Sequence, residues 1–454
     1  MKDPAPTDAG APGEAMNVLH FDLRPGQEKV IAGHEASSAG RDALAVFWWG
    51  DLPLGMFPLS AAELPLGEGW RRSLAASFAA EQRSARDPAL GAPLTARSDG
   101  TVRLTTSLEA SVQIEGMMDW LEATANPSDA DARQLAVLIC TRDRPAALSD
   151  CLTALSLQRS PPGEIVVIDN SATQSARSVC EGRPGVTYLH EPRSGLSHAR
   201  NTGIMAVSHE FVAFTDDDVT PHPGWTAEVV RAFAVTDAEA LTGLVLPMKL
   251  ETRAQRCFQM DMGGFGSRFT PALFGQSFFA ATRHRGAQVW RIGAGANMAF
   301  RRSTFDRIGL FDTRLGAGAS GCSEDSEMWY RILASGGACY YEPRAVVFHD
   351  HRSDWPGLRS QIRAYMRGHV SALIVQSDTF GDRGNLKRVF LQLPRYFLRT
   401  ALGSLLNGRK DRGRLIPAEV AGWLAGLTYM VRPGWRSGRQ SDQRDLAGGG
   451  SDDR

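Results

Sequence analysis

Three consecutive carboxylates, Asp216, Asp217 and Asp218, follow directly on the apolar run Phe211 to Phe214. In an extended chain alternate side chains share a face, so Asp216 and Asp218 are expected on one side and Asp217 on the other. Two carboxylates at a strand end stay ionised together only if a cation lies between them or water reaches them. A magnesium or manganese ion carrying substrate phosphates suits such a pair, because these ions use one or two carboxylates plus phosphate oxygens. A solvated acidic turn, closed by Pro221-His222-Pro223-Gly224, is the plain alternative for the motif by itself.

A second acidic pair, Glu324 and Asp325, follows Ser323 and opens an expected helix that reaches Ala334 and stops at Gly336-Gly337. Ser323 is a natural N-cap and acids in a first turn suit the helix dipole, which accounts for the pair structurally. Yet Met328, Trp329, Ile332 and Leu333 lie four and eight residues beyond the acids and define the buried face. The carboxylates are therefore expected to point inward, where they are costly unless they border a cleft. An ionised Asp there, with a flexible loop from Gly316 to Gly321 before it, is placed as a general base. His349 ends another apolar strand and suits either a structural role or an additional metal ligand.

The elements that must position these residues follow a regular pattern. Leu135–Cys140, Glu164–Ile168, Val186–Leu189 and Phe211–Phe214 read as short apolar strands, separated by helices over Ala146–Leu157 and Gly195–Ala206. Strands that are apolar throughout and alternate with helices predict a parallel α/β sheet covered on both faces. Ligands bind such sheets outside the carboxyl ends of the strands, where Thr141, Asp169 and Asp216 stand. Further along, a helix over Trp225–Ala234 and a strand over Ala240–Pro247 are expected. A strand from Gly293 to Phe300 follows, whose small residues allow a substrate to approach closely.

Composition bounds the rest. With 454 residues, 43% hydrophobic and 22% charged, the chain exceeds one core and reads as a globular protein of several units. A tail (1–15), a small α+β unit (16–130), the α/β domain (131–355), a basic helical region (356–435) and a polar tail (436–454) are expected. In the second unit the strands are Val18–Leu23 and Ala43–Trp49 and the helices Trp70–Arg83 and Ser107–Ala123; Trp48 and Trp49 suit core packing better than a ligand platform. Net charge is zero, but Pro356 to Leu415 hold 12 Lys/Arg against 3 Asp. Helical segments there, Leu358–Gln376 and Leu386–Leu406 with Pro394 as an interruption, suit either an anionic membrane surface or packing on the α/β domain. The six cysteines show no CxxC pair or zinc spacing, as in a reduced cytosolic protein. The N-terminus lacks the apolar core of a secretory signal, and no apolar run reaches the roughly 18 to 20 residues needed to span a bilayer. No nucleic-acid-binding motif accompanies the basic stretch.

Taken in order, ICTRDRP (139–145), IVVIDNSA (165–172), GLSHARNTGI (195–204), FTDDD (214–218), GANMAFRRSTFDRIGLFD (295–312), SEDSEMWYRILASGG (323–337) and His349 resemble the large family 2 glycosyltransferases of GT-A fold. The resemblance covers roughly residues 133 to 375. It implies a Rossmann-like nucleotide-binding sheet and transfer of one sugar, with inversion, from a nucleotide diphosphate donor to a saccharide or lipid-linked hydroxyl in bacterial surface polysaccharide or glycolipid synthesis. By that resemblance Thr141, Asp143 and Asp169 contact base and ribose with help from Arg200. Asp216 and Asp218 form the DxD pair, with Asp216 serving ribose or metal and Asp218 the metal directly. His349 joins as a ligand of Mg2+ or Mn2+, Asp325 is the base with Glu324 beside it, and Gly295 and Asn297 line the sugar pocket. The QxxRW motif of processive synthases is missing, since Gln361-Ile362-Arg363 lacks its continuation, so single-sugar transfer in the cytoplasm or at the inner membrane face is expected. Two alternatives remain at this point. A sugar-phosphate nucleotidyltransferase would need an early Gly-rich loop that residues 139–145 lack, and a non-catalytic saccharide-binding protein would not need Asp216, Asp218 and Asp325 together.

Overall fold

The computed structural model describes residues 15–24, 30–31, 41–60, a few positions between 74 and 124, and 128–431 apart from 267 and 407. Both terminal tails and most of the two helices expected at 70–83 and 107–123 lie outside the described residues. The described positions 74, 75, 79, 119 and 121–124 are helical.

The N-terminal unit is a four-stranded sheet in the order β2-β1-β3-β4, formed by β1 (Asn17–Asp22), β2 (Val30–Ile31), β3 (Ala43–Trp49) and β4 (Leu52–Leu59). Gly50, at φ +62°, and Asp51 turn β3 into β4, a strand that Pro53 and Pro58 mask in the sequence. Trp48 and Trp49 are both buried. Trp48 donates from Nε1 to His20 Nδ1 (3.0 Å) and stacks on His222 of the larger domain at 5.6 Å, so the tryptophan pair is core and interdomain packing. An Asp51–Arg159 ion pair ties the same edge to that domain.

The larger sheet runs β11-β13-β10-β12-β8-β5-β6-β7, with β9 paired to the end of β13. Its first half matches the expected parallel arrangement: β5 (Leu135–Thr141), β6 (Glu164–Asp169), β7 (Val186–His190) and β8 (Phe211–Asp216) are mutually parallel. The covering helices α1 (Pro145–Ser156) and α2 (Leu196–Ala206) lie near their expected bounds. The register sets Cys140 opposite Asp216 and Thr141 opposite Asp169, so the carboxyl ends align along one edge.

In the second half the parallel arrangement expected from the first four strands gives way to a mixed one. After β9 (Val219–Pro221), α3 (Trp225–Ala234), β10 (Ala240–Pro247) and β11 (Ala272–Phe274), β12 (Asn297–Arg301) inserts antiparallel between β8 and β10. The expected strand from Gly293 begins only at Asn297. Residues 293–296 form a turn, closed by Asn297 N donating to Ala294 O (3.0 Å). The helix α4 (Glu324–Ala334) then leads to β13 (Cys339–His349), which runs parallel to β10.

The basic region is a helical layer packed on this domain: α5 (Trp355–Phe380), α6 (Leu393–Leu406) and α7 (Lys410–Tyr429). Leu358 and Ile362 of α5 and Leu415 of α7 share a buried cluster with Ala254, Cys257 and Phe258. Pro394 does not break the second segment. It is the second residue of α6, and a π-turn over Arg388–Gln392, closed by Leu393 N donating to Arg388 O, precedes it. No described helix is long and apolar enough to cross a membrane, and all six cysteines are free thiols.

Candidate active site

The carboxyl ends of β5 and β8, the turn before β12, the start of α4 and the helical layer enclose one open cleft of about 1960 Å³. That exceeds the few hundred to about 1000 Å³ typical of a single small-ligand pocket, so two substrates fit together. Thr141, Arg200, Asp216, Asp217, Asp218, Gly295, Glu324, Asp325 and His349 all line it.

At its inner end the strand stops at Asp216, and Asp217 and Asp218 lie in a turn. Strand alternation therefore does not decide where the three acids face. Asp217 accepts from Thr141 Oγ1 (2.7 Å) and Arg144 Nη1 (3.0 Å), which makes it the structural member of the set. Asp218 accepts from the same Arg144 nitrogen (2.7 Å) with Oδ2 and turns Oδ1 toward His349 Nε2 at 3.5 Å. β9 makes this possible. It pairs with β13 so that Val219 stands opposite His349, and Asp350 N donates to Asp218 O (3.1 Å). Asp216 faces Arg200, whose Nη2 is 3.9 Å from Oδ1. Partial withdrawal from water, reinforced by Asp218, raises the Asp216 carboxyl above its usual range.

The imidazole of His349 is oriented by residues that the sequence reading passed over. His351 Nε2 bonds Gln259 Oε1 at 3.1 Å, an oxygen that only accepts, so this nitrogen carries the proton. His351 Nδ1 is then an acceptor, and His349 Nδ1, 3.0 Å away, must be the donor. That leaves a bare lone pair on His349 Nε2 facing a carboxylate oxygen of Asp218. Burial holds the His349 imidazole below its usual range, which keeps it neutral. Two acceptors turned toward each other suit a cation between them, so Asp218 and His349, with Asp216 nearby, fit a divalent ion. Among the described residues no three such side chains form a complete metal site; substrate phosphates and water would supply the remaining ligands. The His-Asp-His spacing, period two on an extended chain, was the sequence signal for the second histidine.

Across the cleft, Glu324 and Asp325 open α4 as expected, but Ser323 does not cap it. Its φ of 71° is left-handed, and its hydroxyl lies 3.1 Å from Cys322 Sγ instead of meeting the helix amides. Asp325 Oδ1 accepts from Ser326 N (2.6 Å). Its other oxygen faces Gly295, where an added Cβ would come within 2.9 Å of it and 3.2 Å of Arg200 Nη2. Glycine at 295 thus leaves the space in front of the carboxylate open. Glu324 is buried and accepts from Arg200 Nη1 (2.6 Å) with Oε1, while Oε2 has no hydrogen-bond partner. Arg200, itself 2% exposed between the rings of Phe214 and Phe311, joins the two acidic groups of the cleft.

Three expected donor contacts lie elsewhere. Asn297 is fully buried: its amide nitrogen donates to Leu244 O (3.0 Å) and Ala345 O (2.7 Å), and its oxygen accepts from Trp225 Nε1 (2.9 Å). It braces β12 against β10 and β13 and does not line the sugar pocket, because the strand begins there and turns the side chain into the core. Asp169 is buried too, accepting from Ser171 N, Ala176 N and Tyr188 OH at 2.9, 2.9 and 3.2 Å. Burial opposes its ionisation, but these bonds outweigh it and hold the carboxyl below its usual range. The adjacent Asn170 reaches the cleft instead. Asp143, at φ 57°, is exposed between the cleft-lining Arg142 and Arg144. The loop Gly316–Gly321, expected to be flexible, is held from both sides: Leu196 N donates to Ala317 O (2.9 Å), and Arg367 of α5 donates to Ser320 O (2.5 Å) and Ala319 O (2.9 Å).

Residues 132–368 match the family model described as "Glycosyltransferase like family 2". A pre-mycofactocin glycosyltransferase of Mycobacterium tuberculosis is 28% identical over 285 residues, 60% of this chain and 55% of the relative. The succinoglycan biosynthesis protein ExoM of Rhizobium meliloti is 29% identical over 217 residues, 46% of this chain and 64% of the relative. The chain thus spans 55% and 64% of the length of these curated relatives, less than two thirds of either. Among solved structures, the mannosyltransferase PcManGT of Pyrobaculum calidifontis, in complex with GDP-Man and Mn2+, aligns with a TM-score of 0.44 and 17% identity, covering 68% of this chain and 92% of that one.

Proposed function

From the premise that the chain belongs to the family 2 glycosyltransferases, we propose that it transfers a single sugar, with inversion and with the help of a divalent cation, from a nucleotide diphosphate sugar to a hydroxyl of a saccharide or lipid-linked acceptor. The product belongs to bacterial surface polysaccharide or glycolipid synthesis. One observation carries this reading: Asp218 with His349, and Asp325 with its open space at Gly295, face a single cleft, with Arg200 between their neighbours Asp216 and Glu324.

In this reading Thr141, Asn170 and Arg142 stand beside the nucleoside, with Asp143 at the rim, and Asp169 shapes the loop that carries Asn170. Asp218 and His349, with Asp216, hold Mg2+ or Mn2+, which when bound neutralises charge on the departing diphosphate. Asp325 takes the proton of the acceptor hydroxyl as it attacks the anomeric carbon. A screen of nucleotide sugars by nucleotide release, with Mn2+ or Mg2+ and with chelator, tests the proposal. His351→Ala, which loses only the orientation of His349, is expected to weaken metal-dependent donor binding by about 10- to 100-fold, and Asp218→Asn, which removes a direct ligand, by more than that. Metal-dependent binding equal to the wild type in Asp218→Asn would refute the assigned ligand.

The helical layer supports peripheral contact with an anionic membrane. Leu398, Leu402, Leu405 and Leu406 of α6 are 51–84% exposed and fall on one helical face, beside Arg395, Arg399, Arg409 and Lys410. The protein is expected to float with vesicles containing phosphatidylglycerol, and to stay behind with neutral vesicles or when Leu402, Leu405 and Leu406 are replaced by Ser. Equal flotation with neutral and anionic lipid would remove this contact from the proposal.

A further inference from the structure

Charge is sorted along the cleft. The acids Asp216, Asp217, Asp218, Glu324 and Asp325 line the cleft at the end of β8 and the start of α4, whereas the segment before β12 contributes Arg285 and Arg291 and α6 contributes Arg395 and Arg399. None of these four arginines forms an ion pair with a carboxylate among the described residues. Three acids of the surrounding helical layer are already engaged, Asp382 with Arg283, Asp411 with Arg253, and Glu419 with Arg412, and Asp354, which also lines the cleft, caps α5 by accepting from Gly357 N (2.7 Å). Four exposed guanidiniums from two separate segments, around one opening and without a counter-charge, repel one another and raise the attraction for an arriving anion. The planar, bidentate fork of arginine suits phosphate oxygens in particular.

These arginines stand on the side of the proposed base. The turn Val289–Arg291 packs against α4, which Asp325 opens, and α5 holds the loop before it through Arg367. The donor diphosphate has its own partner in the acidic, metal-binding end at β8. Trp290, half-buried in the cleft wall beside Arg291, adds an aromatic face, with Arg388 over its ring at 3.9 Å.

We propose that Arg285, Arg291, Arg395 and Arg399 form an acceptor subsite for a phosphate-bearing acceptor, whose hydroxyl is thereby brought to Asp325. This deepens the glycosyltransferase reading and rests on it. A phosphate on a lipid carrier and one on a soluble sugar share the same recognition chemistry. The exposed leucine face of α6, on the helix that contributes Arg395 and Arg399, favours the lipid-linked source.

The test compares the protein of 454 residues with its triple variant Arg285→Gln, Arg395→Gln, Arg399→Gln. In chelator, which removes the metal contribution of the donor site, binding of three probes is measured: farnesyl phosphate in detergent micelles, glycerol phosphate in solution, and farnesol as the uncharged control. The wild type is expected to bind the phosphate probes over farnesol, and the triple variant to lose about 10-fold or more of that affinity. Arginine-to-lysine replacements at the same positions retain part of it. Preference for farnesyl phosphate assigns a lipid-linked acceptor, and equal binding of glycerol phosphate assigns a soluble one. Binding of both phosphates unchanged in the triple variant, or no preference over farnesol in the wild type, overturns the subsite. Metal-dependent binding of UDP and GDP, measured on the same protein preparations with Mn2+ in place of chelator, reports separately on the donor site: its absence from the wild type would count against the glycosyltransferase reading, whatever the phosphate probes do.

Discussion

Asp325→Asn is expected to lower sugar transfer by about 10²- to 10⁴-fold, the range a positioned general base contributes, while metal-dependent donor binding stays as in the wild type. The substitution is close to isosteric. The asparagine oxygen can still accept from Ser326 N, which Asp325 Oδ1 does at 2.6 Å, so the first turn of α4 keeps its shape. The space at Gly295 is largely kept, since no heavy atom is added toward it and only the two amide hydrogens replace a carboxylate lone pair there. What disappears is a carboxylate able to take a proton. The loss should therefore fall on kcat with little change in the donor KM, the signature of an interaction made in the transition state. Glu324 is poorly placed to substitute, because Arg200 holds one of its oxygens and the residue is 4% exposed. If Asp325→Asn transferred sugar at the wild-type rate, the base would have to be another group.

The candidate site was legible in the sequence wherever local pattern decides placement. The apolar runs 135–140, 164–168 and 211–214 could only be buried strands, so their carboxyl ends, with Thr141 and Asp216, had to meet at one edge. Helix periodicity likewise put Glu324 on the buried side of α4. Long-range pairing was not legible. That β12 would insert antiparallel follows from contacts between residues far apart in the chain, and with it came the burial of Asn297, whose amide joins three distant groups. The orientation of Asp217 and Asp218 depended on where β8 gives way to a turn, a boundary set by β9 pairing with β13. In the basic region the sequence left packing on the α/β domain and a membrane surface as alternatives, and which arginines have partners was not legible. Its charges read as a surface patch, yet Arg412 is buried against Glu419 and Arg367 is spent on the carbonyls of the loop before Asp325. A count of charges does not say which have partners.

Arg200→Leu is expected to cost about 3–5 kcal/mol of stability, because it leaves a buried carboxylate without its counter-charge. Leucine fills part of the slot between Phe214 and Phe311 but cannot answer Glu324, whose second oxygen already lacks a partner. The deficit should depend on pH in a direction fixed by linkage. Burial, the largest influence, raises the Glu324 carboxyl above its usual range; Arg200 opposes that and Asp325 adds to it. Removing Arg200 raises it further. A carboxyl whose folded value lies above its unfolded value, about 4.3, favours the fold when protonated. That contribution is complete below the unfolded value and is lost as pH rises through the folded one. Thermal melts of Arg200→Leu should therefore approach the wild type near pH 5 and fall away from it near pH 8. Adding Glu324→Gln to Arg200→Leu removes the charge and should recover much of the loss at pH 8, giving a coupling between the two sites in a double-mutant cycle. A deficit that is the same at both pH values, and untouched by Glu324→Gln, would mean that Arg200 acts through its packing between the two phenylalanines and not through the charge it supplies to Glu324.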